Sequence, residues 1–177
     1  MAIKKIYIFL SLLIFVIALG YLNRSAIVLK ILPNAATKVI AADKIADLGD
    51  GMHIALCGAG GPMPSSTRSG PCVAVIANGK IFVVDVGSGS SRNLGRMGFR
   101  TGSIDRVFLT HFHSDHIDGL GELAMTRWVT GTHTEALPVF GPTGVESVVE
   151  GFNHAYGQDA VYRNAHHGDS VATLSGN

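Results

Sequence analysis

Apolar and polar positions alternate on three different scales along this chain. Ile6 to Leu22 is an uncharged, almost wholly apolar run of seventeen residues, preceded by Lys4 and Lys5 and closed by Asn23 and Arg24. That length is at the short end for a helix that crosses a bilayer, and Ala26-Ile27-Val28-Leu29 prolongs the apolar character beyond Arg24. The pattern predicts an uncleaved signal anchor over residues 1–24. A cleaved signal peptide is the alternative, although Asn34-Ala35-Ala36 and Ile40-Ala41-Ala42 are poor cleavage sites, and a buried core helix is the plain structural explanation. Residues 25–50 read as a connecting segment without readable chemistry, and residues 51–177 as the folded domain.

Within that domain the period shortens. His53 to Cys57 reads as a strand that runs into the glycine-rich loop Gly58 to Pro64. Cys72–Ala77 and Lys80–Val86 are β-branched runs joined by Asn78-Gly79, the strongest short-range hairpin signal. A short amphipathic helix is expected over about Arg92 to Met97, a strand over Ile104 to Thr110 and a helix over Ile117 to Val129. A strand over Leu137 to Phe140 follows. The capping box Thr143-Gly144-Val145-Glu146 then opens a helix to about Tyr156. Strands alternating with helices on this scale predict an α/β domain with helices outside a sheet.

The chemistry is concentrated at the end of the fourth predicted β segment, in Thr110-His111-Phe112-His113-Ser114-Asp115-His116. Three imidazoles and one carboxylate within six residues form a nitrogen and oxygen donor set suited to a divalent transition metal. In an extended segment His111 and His113 share a side and can share an ion, while Phe112 points into the protein. Asp115 and His116 follow a turn and can address a second ion about 3.5–4 Å away. Asp85 ends an apolar strand, so its charge needs partners; it is either a group that holds a ligand loop from behind or a satisfied structural aspartate.

The motif His111-x-His113-x-Asp115-His116 after an apolar strand resembles the signature of the metallo-β-lactamase superfamily. Its surroundings are similar to the branch that holds ribonuclease Z and the arylsulfatase-like and phosphodiesterase-like enzymes: Gly58-Ala59-Gly60-Gly61-Pro62, Asp85-Val86-Gly87 and Pro138-Val139-Phe140-Gly141-Pro142. The likeness spans about residues 50–145. It implies an αββα sandwich, of which these residues would be the first half, and a site for two Zn2+ ions in a complete domain. His111 and His113 would hold one ion and Asp115 and His116 the other, with Asp85 supporting a ligand from behind. A metal-activated hydroxide, oriented by Asp115, would attack ester-type bonds. A third His, a bridging Asp and a last His would be expected downstream. His154, His166 and His167 read as surface residues instead, so these 177 residues are expected to be part of a longer enzyme.

Charge narrows the substrate. From Asp43 onward nine Lys and Arg face thirteen Asp and Glu, a net formal charge of −4. An exported domain of that sign does not suit a polyanionic RNA. The expected substrate is therefore a small ester, such as a phosphodiester, a sulfate ester or a lactone. A ribonuclease Z-like RNA 3′-processing endonuclease and a membrane-tethered metal binder without turnover are the alternatives. The domain is expected to face the periplasm or the exterior, tethered to the membrane by its N-terminal helix, or to be secreted if the signal is cleaved. Cys57 and Cys72 are the only cysteines, and their apolar contexts predict buried free thiols more often than a bridge.

Overall fold

The computed structural model describes residues 2–30, 44–131 and 133–168. The chain divides into two units, Met1–Ala41 and Ala42–Asn177. In the first, α1 (Ala2–Leu22) is followed by a second helical stretch, α2, over residues 24–30. Lys4–Leu22 is long and apolar enough to cross a membrane, by length and composition alone; a signal sequence passes the same test.

The second unit is built on one five-stranded sheet in the order β1 (Met52–Gly58), β2 (Cys72–Ala77), β3 (Lys80–Val84), β4 (Ile104–Phe108) and β5 (Val139–Phe140). The first three strands run antiparallel, and β4 and β5 are added parallel to β3 and to each other. Asn78 (φ 52°) and Gly79 (φ 74°) make the tight hairpin that their sequence predicts. Parallel neighbours need crossovers. These are α3 (Ser90–Arg96) between β3 and β4, and α4 (Ser114–Ile117) with α5 (Leu120–Thr130) between β4 and β5. A last helix, α6 (Val145–His167), follows β5.

The helices cover one face of the sheet. Cys57, Ala74, Ile76, Ile81, Val83, Ile104 and Val107 point into it and form one core with Leu94 of α3, Leu120 and Leu123 of α5, and Val145 of α6. Ile45 and Leu48 pack on the same core, and the Lys44 N–H donates to the Gly98 carbonyl at 3.0 Å. The end of the supposed connecting segment is therefore structural. Among the described residues, no element of this unit covers the opposite face.

Three expectations are corrected here. The thiols are not free: Cys57 and Cys72 form a disulfide, with Cα atoms 5.0 Å apart. A bulge between Leu56 and Gly58 shifts the register, so both cysteines turn toward the covered face at one point on adjacent strands. The capping box does not form: Gly144 (φ 99°) is the N-cap, with no side-chain cap bond, and α6 continues past Tyr156 to His167. Finally, the helix expected over 117–129 is two helices that break at Asp118-Gly119.

Candidate metal centre

The site forms where β3 and β4 end side by side. Beyond β3, Asp85 adopts φ 58°, a left-handed backbone that aspartate tolerates better than most residues. Its N–H donates to the Phe108 carbonyl at 2.9 Å, which fixes that conformation to the end of β4. Its carboxylate then turns toward the motif. Oδ1 accepts the Thr110 N–H at 2.8 Å, both oxygens accept the Thr110 hydroxyl at 2.8 and 3.0 Å, and Oδ2 accepts the ring N–H at His116 Nδ1 at 2.8 Å. Burial pushes the Asp85 carboxyl up, but the Thr110 and His116 hydrogen bonds and the His116 charge outweigh this and hold it below the usual range.

The histidine turn is held by the backbone as well. Val86 N–H donates to the His116 carbonyl at 2.8 Å, and Gly119 N–H to the Val86 carbonyl at 2.9 Å. Between them Gly87 is pinched: a Cβ there would collide with Gly70 and would lie 2.5 Å from the Asp115 carbonyl oxygen. Gly119 is similarly closed in, since a Cβ there would lie 2.6 Å from the Gly87 carbonyl oxygen. The helix breaks at 118–119 because the Gly119 N–H is spent on Val86 and not on the carbonyl four residues back.

His111 and His113 lie in the irregular segment after β4, His113 in extended backbone (φ −63°, ψ 143°), and Phe112 packs against the core between them. Asp115 and His116 occupy the single turn of α4, with His113 as its N-cap. The rings of His111 and His116 are 4.1 Å apart and those of His111 and His113 4.6 Å. His111 Nε2 faces His113 Nδ1 at 3.1 Å, and Asp115 Oδ2 lies 3.7 Å from His116 Nε2. All five predicted residues are therefore in one place.

Hydrogen bonding also assigns the ring protons. His116 carries its proton on Nδ1, toward Asp85, which leaves the Nε2 lone pair open. Thr110 spends its hydroxyl proton on Asp85, so its oxygen, 2.9 Å from His111 Nδ1, accepts the proton of that nitrogen. His111 Nε2 is then unprotonated and accepts the N–H of His113 Nδ1, 3.1 Å away. Two unprotonated imidazole nitrogens beside a carboxylate, with His116 backed by Asp85 and His111 by Thr110, fit a zinc-type ion in donor chemistry. They do not form a finished cage: among the described residues no three His, Cys, Asp or Glu converge on one point.

Several contributors carry no motif of their own. Thr110 is read from the sequence only as a strand end, yet it links Asp85 to His111. Asp118, next to the break, has its carboxyl raised by burial and by the neighbouring Asp115 charge, against backbone hydrogen bonds from Ser88 and Gly119. His154 is exposed on α6, and His166 and His167 stack edge to face at its end, their rings 4.6 Å apart. The structure does not bring them into the site.

A family model described as Anti-Pycsar protein Apyc1 matches residues 52–142, just over half of the chain. The chain belongs to this family. Ribonuclease Z of Mycobacterium sp. (strain KMS) is 41% identical to the Apyc1-family chain over 123 residues, covering 68% of this chain and 43% of the relative. Ribonuclease Z of Mycobacterium marinum is 40% identical over 120 residues, 67% of this chain and 43% of that one. Among solved structures, human tRNase Z, short form, is similar with a TM-score of 0.52 and 27% identity, over 59% of this chain and 39% of that structure. These findings place the Apyc1-family chain in the metallo-β-lactamase superfamily as a ribonuclease Z-like protein with the α/β fold of that superfamily. The chain spans under half the length of the curated relatives it matches.

Proposed function

We propose that this chain carries the first metal-binding half of a metal-dependent hydrolase that acts on ester-type bonds, with two Zn2+ ions in the complete domain. The observation that supports this reading is the double use of Asp85, which holds His116 directly and His111 through Thr110 and leaves both Nε2 atoms without a proton. An ion held by His111, His113, Asp115 and His116 would supply Lewis acidity and acidify water beside the substrate. The chain's own part is positioning. Asp85 keeps a proton on His116 Nδ1, Thr110 orients His111, and the Asp115 carboxylate is free to orient a water and take its proton.

Metal content by elemental analysis tests this. Zinc bound to the complete domain and lost in its His113→Ala variant is the expected result; full occupancy in that variant overturns the assignment. A second reading, a ribonuclease Z-like RNA 3′-processing endonuclease, is favoured by the names of the relatives that are about 40% identical. The net charge of −4 beyond Asp43 weighs against it. Cleavage of a precursor tRNA in preference to a small diester would establish it.

The reading extends to location. The apolar stretch Lys4–Leu22 and the disulfide both suit a membrane-tethered domain that faces an oxidising compartment. Alkylation of Cys57 and Cys72 before and after reduction, in protein taken directly from cells, checks the second point.

A further inference from the structure

The Cys57–Cys72 disulfide joins the first two strands, whereas the histidine turn follows the fourth, yet the two are in physical contact through the main chain. The bridge closes the base of the loop between β1 and β2. Residues 61–70 of that loop form one wall of a polar cleft of about 560 Å³, and Ser114, Asp115 and Asp118 stand on the other. Most side chains of the loop are in solvent, while Cys57 and Cys72 are 0% and 1% exposed. Among the described residues the loop does little to hold itself: Gly60 N–H donates to the Ser69 carbonyl at 2.7 Å, and the Thr67 and Arg68 N–H groups to Ser65 Oγ at 3.3 and 3.1 Å.

Its ends are held by the bridge and by a run of close main-chain contacts that leads to the turn. Gly58, next to Cys57, lies so near Gly70 that a Cβ would collide with the Gly70 carbonyl. Gly70 and Pro71 then pair with the segment beyond β3: Gly70 N–H donates to the Ser88 carbonyl and Gly87 N–H to the Pro71 carbonyl, both at 2.9 Å. Pro71 is the residue before Cys72, so the bridge anchors the strip on which Gly87 rests. On its other side that segment holds the turn, through Val86 N–H to the His116 carbonyl and Gly119 N–H to the Val86 carbonyl. The Asn93 amide adds a tie from α3, to the Cys57 carbonyl at 3.0 Å and to Ser69 Oγ at 2.9 Å.

We infer that the disulfide sets the histidine turn, so that closing the Cys57–Cys72 bridge makes the turn ready for metal and the dithiol chain holds it loosely. Metal loading then follows oxidation, and an oxidising compartment permits it. The inference rests on the metal-site reading and adds its regulation. The oxidant is a protein or small-molecule disulfide. One cysteine thiolate attacks it and expels a thiol, and the second cysteine attacks the mixed disulfide and expels the other. Two electrons and two protons thus pass to the oxidant, which leaves as two thiols. Because both cysteines are buried, exchange takes place before the loop closes over them or when it opens locally, which makes the bridge a step of assembly and not a rapid toggle.

Amide hydrogen exchange on the metal-free full chain is the first test. It compares the oxidised protein with a Cys57→Ala, Cys72→Ala double variant, which keeps small apolar side chains and removes thiols that could themselves take zinc. The Val86 and Gly119 N–H groups should exchange about tenfold faster in the variant, beyond any acceleration shared by Val107 and Phe99, whose N–H groups bond to the Pro138 and Leu94 carbonyls. Acceleration that is equal at all four, or confined to residues 58–71, overturns the inference, since the bridge then contributes only global stability or only order within its own loop. Wild-type protein reduced by a dithiol should reproduce the change and reoxidation should reverse it, a comparison that stands even if the variant misfolds; a reduced chain that matches the oxidised one also overturns the inference. In the complete domain, the double variant should bind zinc about tenfold more weakly in competition with a chromogenic chelator, and equal affinity overturns the link to metal. Bridge-dependent exchange at Val86 and Gly119 with no zinc bound by either form leaves the coupling standing and overturns the metal-site reading instead.

Discussion

The two faces of the sheet are equally apolar in sequence and opposite in fate. On the helix side Ile81, Val83, Ile104 and Val107 are 0% exposed. On the other side Met52, Ile54 and Leu56 of β1 are 72%, 67% and 61% exposed, and Phe82, Phe108 and Phe140 stack across β3, β4 and β5 with ring centroids 6.4 and 5.2 Å apart. An antiparallel sheet with one solvated face alternates apolar and polar residues. Here both alternating sets are apolar, with Arg106 as an exception on the open side. The difference teaches that the strand sequences are written for a sheet with two covered faces, of which this unit covers one. A contiguous apolar surface of this kind is a site of association.

The largest effect expected from this contrast lies on the covered face. Ile81→Ala should cost about 2–5 kcal/mol in urea unfolding, because it opens a cavity beneath α3 and α5. Ile54→Ala on the bare face should stay within about 0.5 kcal/mol in the isolated chain. A cost for Ile54→Ala that rivals Ile81→Ala would show that the bare face is covered in solution. Next comes the join between β1 and β2 at the rim of both faces. The disulfide closes a loop with a sequence separation of 15 residues, and Cys57→Ser with Cys72→Ser should cost about 3 kcal/mol.

Asp85→Ala, at the end of the covered core, should cost about 1–3 kcal/mol, since it strands the Thr110 N–H and the His116 ring. It should also weaken zinc binding by about 10–100-fold, read by competition with a chromogenic chelator. Because the Asp85 carboxyl is held below its ordinary value of 3.8, its contribution is complete above that pH. It is lost as pH falls through the lower folded value, a slope that acid titration of the variant should lack. The smallest effect on stability is on the bare face again. Ile54→Lys should leave the urea midpoint nearly unchanged while it lowers dye binding to apolar surface and shifts sedimentation toward the monomer.

How much of this was legible in the sequence depends on the range of the interactions. The hairpin at Asn78-Gly79 is a local event, since two residues with positive φ suffice, and it forms as written. The strand that delivers His111 and the inward turn of Phe112 follow from period-two alternation. The disulfide was missed because it depends on a bulge in the register between two strands, which neither cysteine's neighbours reveal. The break before α5 was missed for a similar reason. Gly119 is tolerable inside a helix, and its N–H leaves the helical ladder only for the Val86 carbonyl at another strand end. Thr110 went unread because its role needs Asp85, twenty-five residues away, to be in place.

Gly87 has one more consequence. Three chain segments, the cleft loop at Gly70, the end of β3 and the histidine turn at Asp115, meet there with no side chain between them. Such a junction has no slack. The loop at Gly70 and the histidine turn are therefore seated backbone to backbone across this residue, and a single methyl group at position 87 would act as a wedge between them.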